Sequence, residues 1–406
     1  MNLKIKFINE KKVISFLFVA GVVFVFFSSK GWAYVDKYIN AAINGVKEKS
    51  NSYTSNIDSQ LIDAISCKQE MIDINGSIAK KLNMRDFFID NGGVVLKNGY
   101  VSGVYSYTTT DYEVQQMQAL KNYLDNLDIK LLYVNEPVKY LDDKEMETDL
   151  GLKSYANQNI DRLLSRLDDI GVNYLDLRQN ILEENKNSYE MFYRTDHHWT
   201  VQSGKWAAEK IVDKLNLDYG YSINKELYLD ENFTYTEYKN AWLGEQGKKL
   251  GKSYVGLDDF TLIEPKYDTN FIVYINGGCV QGSFDDTMIN KSAYSDENNE
   301  DVYKAGSWHY SYLPGMNGSM IGNWNVGTGK ILLLSDSYAQ VMAPFLALGV
   351  NEVDTLVLRD WGEEFDLGEY LSAGNYDTVI VSYAEFMVGA HDYPGTANYS
   401  MFDFFK

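Results

Sequence analysis

Arg194-Thr195-Asp196-His197-His198-Trp199 places two of the chain's four histidines side by side, between an acid and a tryptophan. A second segment, Leu334-Ser335-Asp336-Ser337-Tyr338, closes an apolar run, and its Ser337 lies 139 positions after His198. Together they supply a carboxylate, a base and a hydroxyl, the minimum set for acyl chemistry through a serine. Residues two apart on an extended segment project to the same side, so Asp196 and His198 converge there while His197 points away. The carboxylate can then hold one imidazole nitrogen and leave the other facing the serine. Other readings stay open. Asp-x-His also serves as a surface pair or a helix start, and Ser337 or Asp336 suits a helix N-cap. Asp196, His197 and His198 are competent metal ligands too, although adjacent histidines on a strand diverge and further ligands must come from afar.

The flanking pattern says what must position these groups. Asp111–Asn126 carries Val114, Met117, Leu120, Tyr123 and Leu124 at helical spacing, and Leu131–Val134 reads as a short apolar strand. A helix through Ile160–Leu167, a strand over Asn173–Leu177 and a helix over about Val201–Leu215 follow. After residue 329 the rhythm resumes with Ile331–Leu334, a helix from about Tyr338 to Leu348, and strands at Thr355–Leu358 and Thr378–Val381. Strands spaced by helices predict an α/β fold, a parallel sheet flanked by helices. Ser337 then sits at the sheet's carboxyl edge, where a helix N-terminus offers N–H groups to an oxyanion. Residues 217–329, rich in Tyr, Asn, Gly and Asp, predict an irregular and β insertion between the two motifs. Val94–Tyr105 predicts a hairpin.

With 57 acidic against 37 basic residues the formal net charge is -20, which disfavours nucleic acid and anionic lipid headgroups as partners. The 32 Tyr and 7 Trp suit either sugar stacking or an aromatic core. Lys4, Lys6, Lys11 and Lys12 precede an apolar stretch from Val13 to Phe27. That order marks residues 1–33 as a signal anchor or signal peptide, with the rest of the chain outside the cytoplasmic membrane. Residues 34–85 read as a stalk and helical lead-in, and 86–406 as the catalytic domain. Cys67 and Cys279 permit one disulfide and equally suit two isolated thiols.

Asp196-His197-His198-Trp199-Thr200 and Asp336-Ser337-Tyr338-Ala339 resemble the paired signatures of the DHHW proteins, related to the alginate O-acetyltransferases of the SGNH-hydrolase-like superfamily. The order is permuted, acid and histidine before serine, as in that group. The resemblance covers roughly residues 86–405, with weaker matches at Asn91-Gly92-Gly93, Tyr133–Pro137 and Trp242-Leu243-Gly244. It implies an SGNH-like fold with Ser337 as nucleophile, His198 as base and Asp196 as its orienting carboxylate. Trp199 would pack beside the histidine; Trp199, Arg359 and Tyr383 are candidate substrate contacts, with a salt bridge for Arg359 and a packed ring for Tyr383 as the competing readings. Where many members have Gly-Asp-Ser, this chain has Ser335-Asp336-Ser337; the Ser337 N–H is the expected oxyanion donor. The activity implied is O-acetylation of a cell-surface or secreted polysaccharide, without cofactor or metal. Acetyl groups would come from a membrane-bound O-acyltransferase. An acetylesterase with the same triad and a non-catalytic polysaccharide-binding protein are the alternatives.

Overall fold

The computed structural model describes residues 68–86, 93–275, 277–291, 301–303, 311–312, 317–362 and 364–405. The chain divides into two units, residues 1–78 and 79–406. A helix runs over Lys68–Lys81, and the described part of the first unit is its opening turns. The N-terminal apolar segment and Cys67 lie outside the described residues; Cys279 is an exposed thiol. No helix among the described residues is long and apolar enough to cross a membrane.

The larger unit is built on an eight-stranded sheet. Five strands are parallel and lie in the order β4 (Asn173–Asp176), β3 (Lys130–Asn135), β12 (Thr378–Tyr383), β10 (Lys330–Ser335), β11 (Glu352–Leu356). Each of the three central strands sends alternate side chains to opposite faces. Leu132, Val134, Ile331, Leu333 and Ile380 enter one core with the helix Val201–Asp218. Tyr133, Leu332, Leu334, Val379 and Val381 enter the other, against Asp111–Asn126, Ala156–Asp169 and Leu367–Gly374. Burial on both faces explains why these strands read as continuous apolar runs. Each large side chain so buried contributes roughly 1.5–3 kcal/mol. The hairpin forms as expected, β1 (Val94–Val95) pairing antiparallel with β2 (Val101–Ser102).

Two expectations are corrected. The stretch 217–329 is no mere insertion: β7 (Phe271–Ile275), β8 (Gly278–Gly282) and β9 (Ser319–Asn323) extend the central sheet antiparallel from β11. Within this stretch β5 (Phe233–Trp242) and β6 (Asp258–Pro265) stand apart from that sheet, as a two-stranded ribbon with a register shift between Tyr238 and Trp242. Nor does a long helix follow Ser337. A five-residue 3-10 turn, Ser337–Val341, gives way to one turn of α-helix over Ala343–Leu346. Pro344 has no N–H to continue the ladder, which ends the first turn early. A sizeable helix dipole at Ser337 is therefore lost, and individual backbone N–H groups are what remain. Gly204, on the helix Val201–Asp218, lets this segment approach closely, since a Cβ there would stand within 2.7 Å of the Val341 carbonyl carbon.

Candidate active site

Ser337 lies one residue beyond the end of β10, and the intervening Asp336 fastens it. Asp336 accepts from the Tyr338 N–H at 2.9 Å and from the Ala384 N–H, just past β12, at 2.7 Å. Burial raises the Asp336 pKa, while these two N–H donors oppose the rise. The aspartate thus caps the turn and ties it to the neighbouring strand. Its own carbonyl accepts from Ala339, so the Tyr338 and Ala339 amides are both engaged within the turn.

The acid and base come from a tight loop rather than an extended segment, a second correction to the local geometry. Phe192 and Trp199 form an antiparallel bridge, and the Tyr193 N–H donates to the His198 carbonyl, closing the loop at its neck. Inside it, Asp196 Oδ1 accepts from the His198 backbone N–H at 3.0 Å, a local side-chain turn typical of aspartate. The same oxygen lies 2.6 Å from His198 Nδ1, and His198 Nε2 lies 2.7 Å from Ser337 Oγ. Asp196 Oδ2 accepts from the Glu245 N–H at 2.7 Å. Burial presses the Asp196 pKa upward, but the imidazoles and N–H donors outweigh it and hold the carboxyl well below the usual range. The ionised carboxylate keeps the proton on Nδ1 and leaves Nε2 to accept from the serine hydroxyl.

His197 does not point away. Its ring lies 3.9 Å from that of His198, with Nδ1 3.4 Å from Asp196 Oδ1. Partial burial and the neighbouring imidazole lower its pKa. These three residues could gather metal-ligand atoms within 4.8 Å of one another. His198 Nδ1 and Asp196 Oδ1 are in direct hydrogen-bond contact, however, which leaves no room for an ion between them.

Trp199 and Tyr383 cannot be substrate contacts as the sequence suggested. Trp199 is fully buried, its indole N–H donating to the Tyr338 carbonyl at 3.0 Å, so it braces the serine turn from beneath. Tyr383 is equally buried and donates to the Met401 carbonyl at 2.8 Å. Arg359 is different: partly exposed, it donates to Asn398 Oδ1 at 2.7 Å, and its charge reaches Asp336 and His197.

Several residues near the triad carried no recognisable signal in the sequence. Asp258, at the start of β6, accepts from the Arg194 and Thr195 N–H groups at 2.9 and 2.8 Å and from the Thr195 hydroxyl at 2.5 Å. Lys139 is buried beneath the loop and donates to the carbonyls of Val101 and Asp196. Two acids lie at the adjacent strand ends. Glu136 Oε1 accepts from Ser382 Oγ, and Glu385 Oε1 accepts from Tyr105 OH. Burial pushes Glu385 up to about 7 and Glu136 well above its ordinary value. A surface hollow of about 640 Å³, lined by Tyr123, Asp366, Glu369 and Phe405, includes no triad residue.

Gly244 accounts for the Trp242-Leu243-Gly244 stretch. A Cβ there would collide with Asp196 Cβ and lie 2.7 Å from both Asp196 Oδ2 and the Thr195 carbonyl oxygen. Gly244→Ala must push apart Asp196 and the segment that carries residue 244. It is expected to cost roughly 100-fold in ester kcat/KM while circular dichroism stays native, because a shift of about 1 Å suffices for such a loss.

Comparison with known proteins adds to this geometry. Residues 106–239 match the family model described as the SGNH hydrolase-like domain of the acetyltransferase AlgX. The likeness is to an acetyltransferase domain. Among solved structures, Bacillus cereus PatB1 superposes with a TM-score of 0.59 at 18% identity, covering 77% of this chain and 100% of PatB1. A DHHW family protein from Eubacterium siraeum superposes with a TM-score of 0.54 at 14% identity, covering 77% of this chain and 95% of that one. No curated protein sequence matches. The SGNH-like α/β fold expected from the two motifs is the fold observed.

Proposed function

We propose that the protein is an extracytoplasmic O-acetyltransferase that moves acetyl groups onto hydroxyls of a cell-surface or secreted polysaccharide. The observation that carries this reading is the continuous relay Asp196–His198–Ser337, with both links at 2.6–2.7 Å. Ser337 Oγ attacks the acetyl carbonyl as His198 Nε2 takes its proton, and the donor's leaving group departs with that proton. A sugar hydroxyl, deprotonated by the same nitrogen, then attacks the acyl-serine and frees Ser337. The Ser337 N–H and the nearby Arg359 charge support the tetrahedral oxyanion. The basic and apolar N-terminus supports attachment to the membrane, where a membrane-bound O-acyltransferase would present acetyl groups.

A sulfonyl adduct is known for PatB1. An aryl sulfonyl fluoride is accordingly expected to label this chain at Ser337 and to block turnover. The deciding experiment gives the detergent-solubilised full chain an activated acetyl ester with and without oligosaccharides. Acetylated sugar, identified by mass spectrometry, is expected. Acetate released at an unchanged rate, with no acetylated sugar across acidic, neutral and amino-sugar oligomers, would instead make the protein an esterase.

A further inference from the structure

Lys139 is 3% exposed, and among the described residues no carboxylate lies within ion-pair distance of its ammonium. Burying a cation that way carries a desolvation cost which a neutral side chain of similar length would avoid. Its hydrogen bonds are instead to two carbonyls. One is Val101 of β2, at 2.5 Å; the other is the carbonyl of Asp196 itself. From the other direction Asp258 gathers the Arg194 and Thr195 N–H groups and the Thr195 hydroxyl. Three consecutive residues of the catalytic loop are thereby held through their main chain, donors by a buried anion and an acceptor by a buried cation.

We propose that Lys139 is a positioning residue for the triad, which with Asp258 clamps the backbone of residues 194–196 so that Asp196 meets His198. The inference rests on the serine acyl chemistry proposed above. Lys139 also has an electrostatic consequence, because its positive charge opposes protonation of the His197 imidazole. The charged and titratable groups around it are Asp196 from the loop, Asp258 from β6, Glu385 beyond β12 and the Tyr100 ring 5.7 Å away. Around the histidines stand Asp196, Asp336, Lys139 and Arg359. Burial lowers the Lys139 pKa to about 8, with the three carboxylates opposing, so the cation is present through neutral pH.

The test uses the full chain carrying Lys139→Met, with Lys139→Gln as a shorter uncharged partner that keeps N–H donors. With an acetyl ester, Lys139→Met is expected to lower kcat by about 10- to 100-fold while KM moves less than about threefold. Amide exchange of the peptide 193–199 should quicken about tenfold in Lys139→Met while the helix 201–218 keeps its protection. An unchanged kcat with unchanged exchange in the folded variants would overturn the proposal. So would loss of the fold in both, which would make Lys139 a purely structural residue. Absence of ester turnover in the parent chain would count against the acyl chemistry, and the exchange measurement would still decide the clamp.

Discussion

Ser337→Ala is expected to leave a folded protein with almost no acyl chemistry. Turnover of an acetyl ester should fall by about 10⁴- to 10⁶-fold, the scale on which serine nucleophiles of acyl-transfer enzymes are lost. The change removes one hydroxyl from a turn whose attachments run through Asp336, Trp199 and the sheet. Its melting temperature should therefore stay within a few degrees of the parent's. Intact-protein mass spectrometry after brief exposure to the ester provides the second arm. One acetyl group should be trapped on the parent and none on the alanine variant. An adduct that persists in Ser337→Ala would place the nucleophile elsewhere and undo the assignment of the triad.

Asp196→Asn should be nearly as damaging, though no atom is lost. The carboxylate receives N–H groups from His198 Nδ1 and the His198 backbone on one oxygen and from Glu245 on the other. An amide has one accepting end. Turned toward Glu245, its NH₂ confronts the N–H of that residue. Turned toward His198, it donates to Nδ1, forces the ring proton onto Nε2 and leaves nothing to accept the serine proton. Either orientation lowers turnover, by roughly 10⁴ on the precedent of the same exchange in a serine protease. Ester kinetics of the purified variant check this. A loss below tenfold would show that the histidine tautomer is not set by Asp196.

The two motifs were legible because their residue types are scarce and their order is distinctive. The parallel strands were legible because double-sided burial writes apolar runs such as Ile331–Leu334 and Val379–Val381. What escaped shows the limit of spacing arguments. The convergence of Asp196 and His198 comes from a bridged loop, and pairing between Phe192 and Trp199 leaves no periodic trace. Asp258 is one of 57 acidic residues, and nothing beside it in sequence hints that it gathers the amides of Arg194 and Thr195. Lys139 follows Asn135-Glu136-Pro137 closely, but a lysine in a polar neighbourhood reads as solvated. Trp199 and Tyr383 were misjudged for a related reason: position at a strand end or beside a catalytic histidine does not say whether a ring faces outward. Strands β7 to β9 were missed as part of the sheet because antiparallel additions need no intervening helix to announce them.

The placement of Gly244 and Asp258 beside and on the β5–β6 ribbon bears on how this protein can be divided or recombined. The stretch that matches the family model, 106–239, contains Asp196 and His198 but neither the ribbon's second strand nor Ser337. Excised alone, it would carry the acid and base with their loop unfastened. A chimera that exchanges it for a homologous stretch must therefore bring a compatible partner for residues 242–258, or accept a histidine without a fixed direction. The unit of inheritance is larger than the unit of recognition.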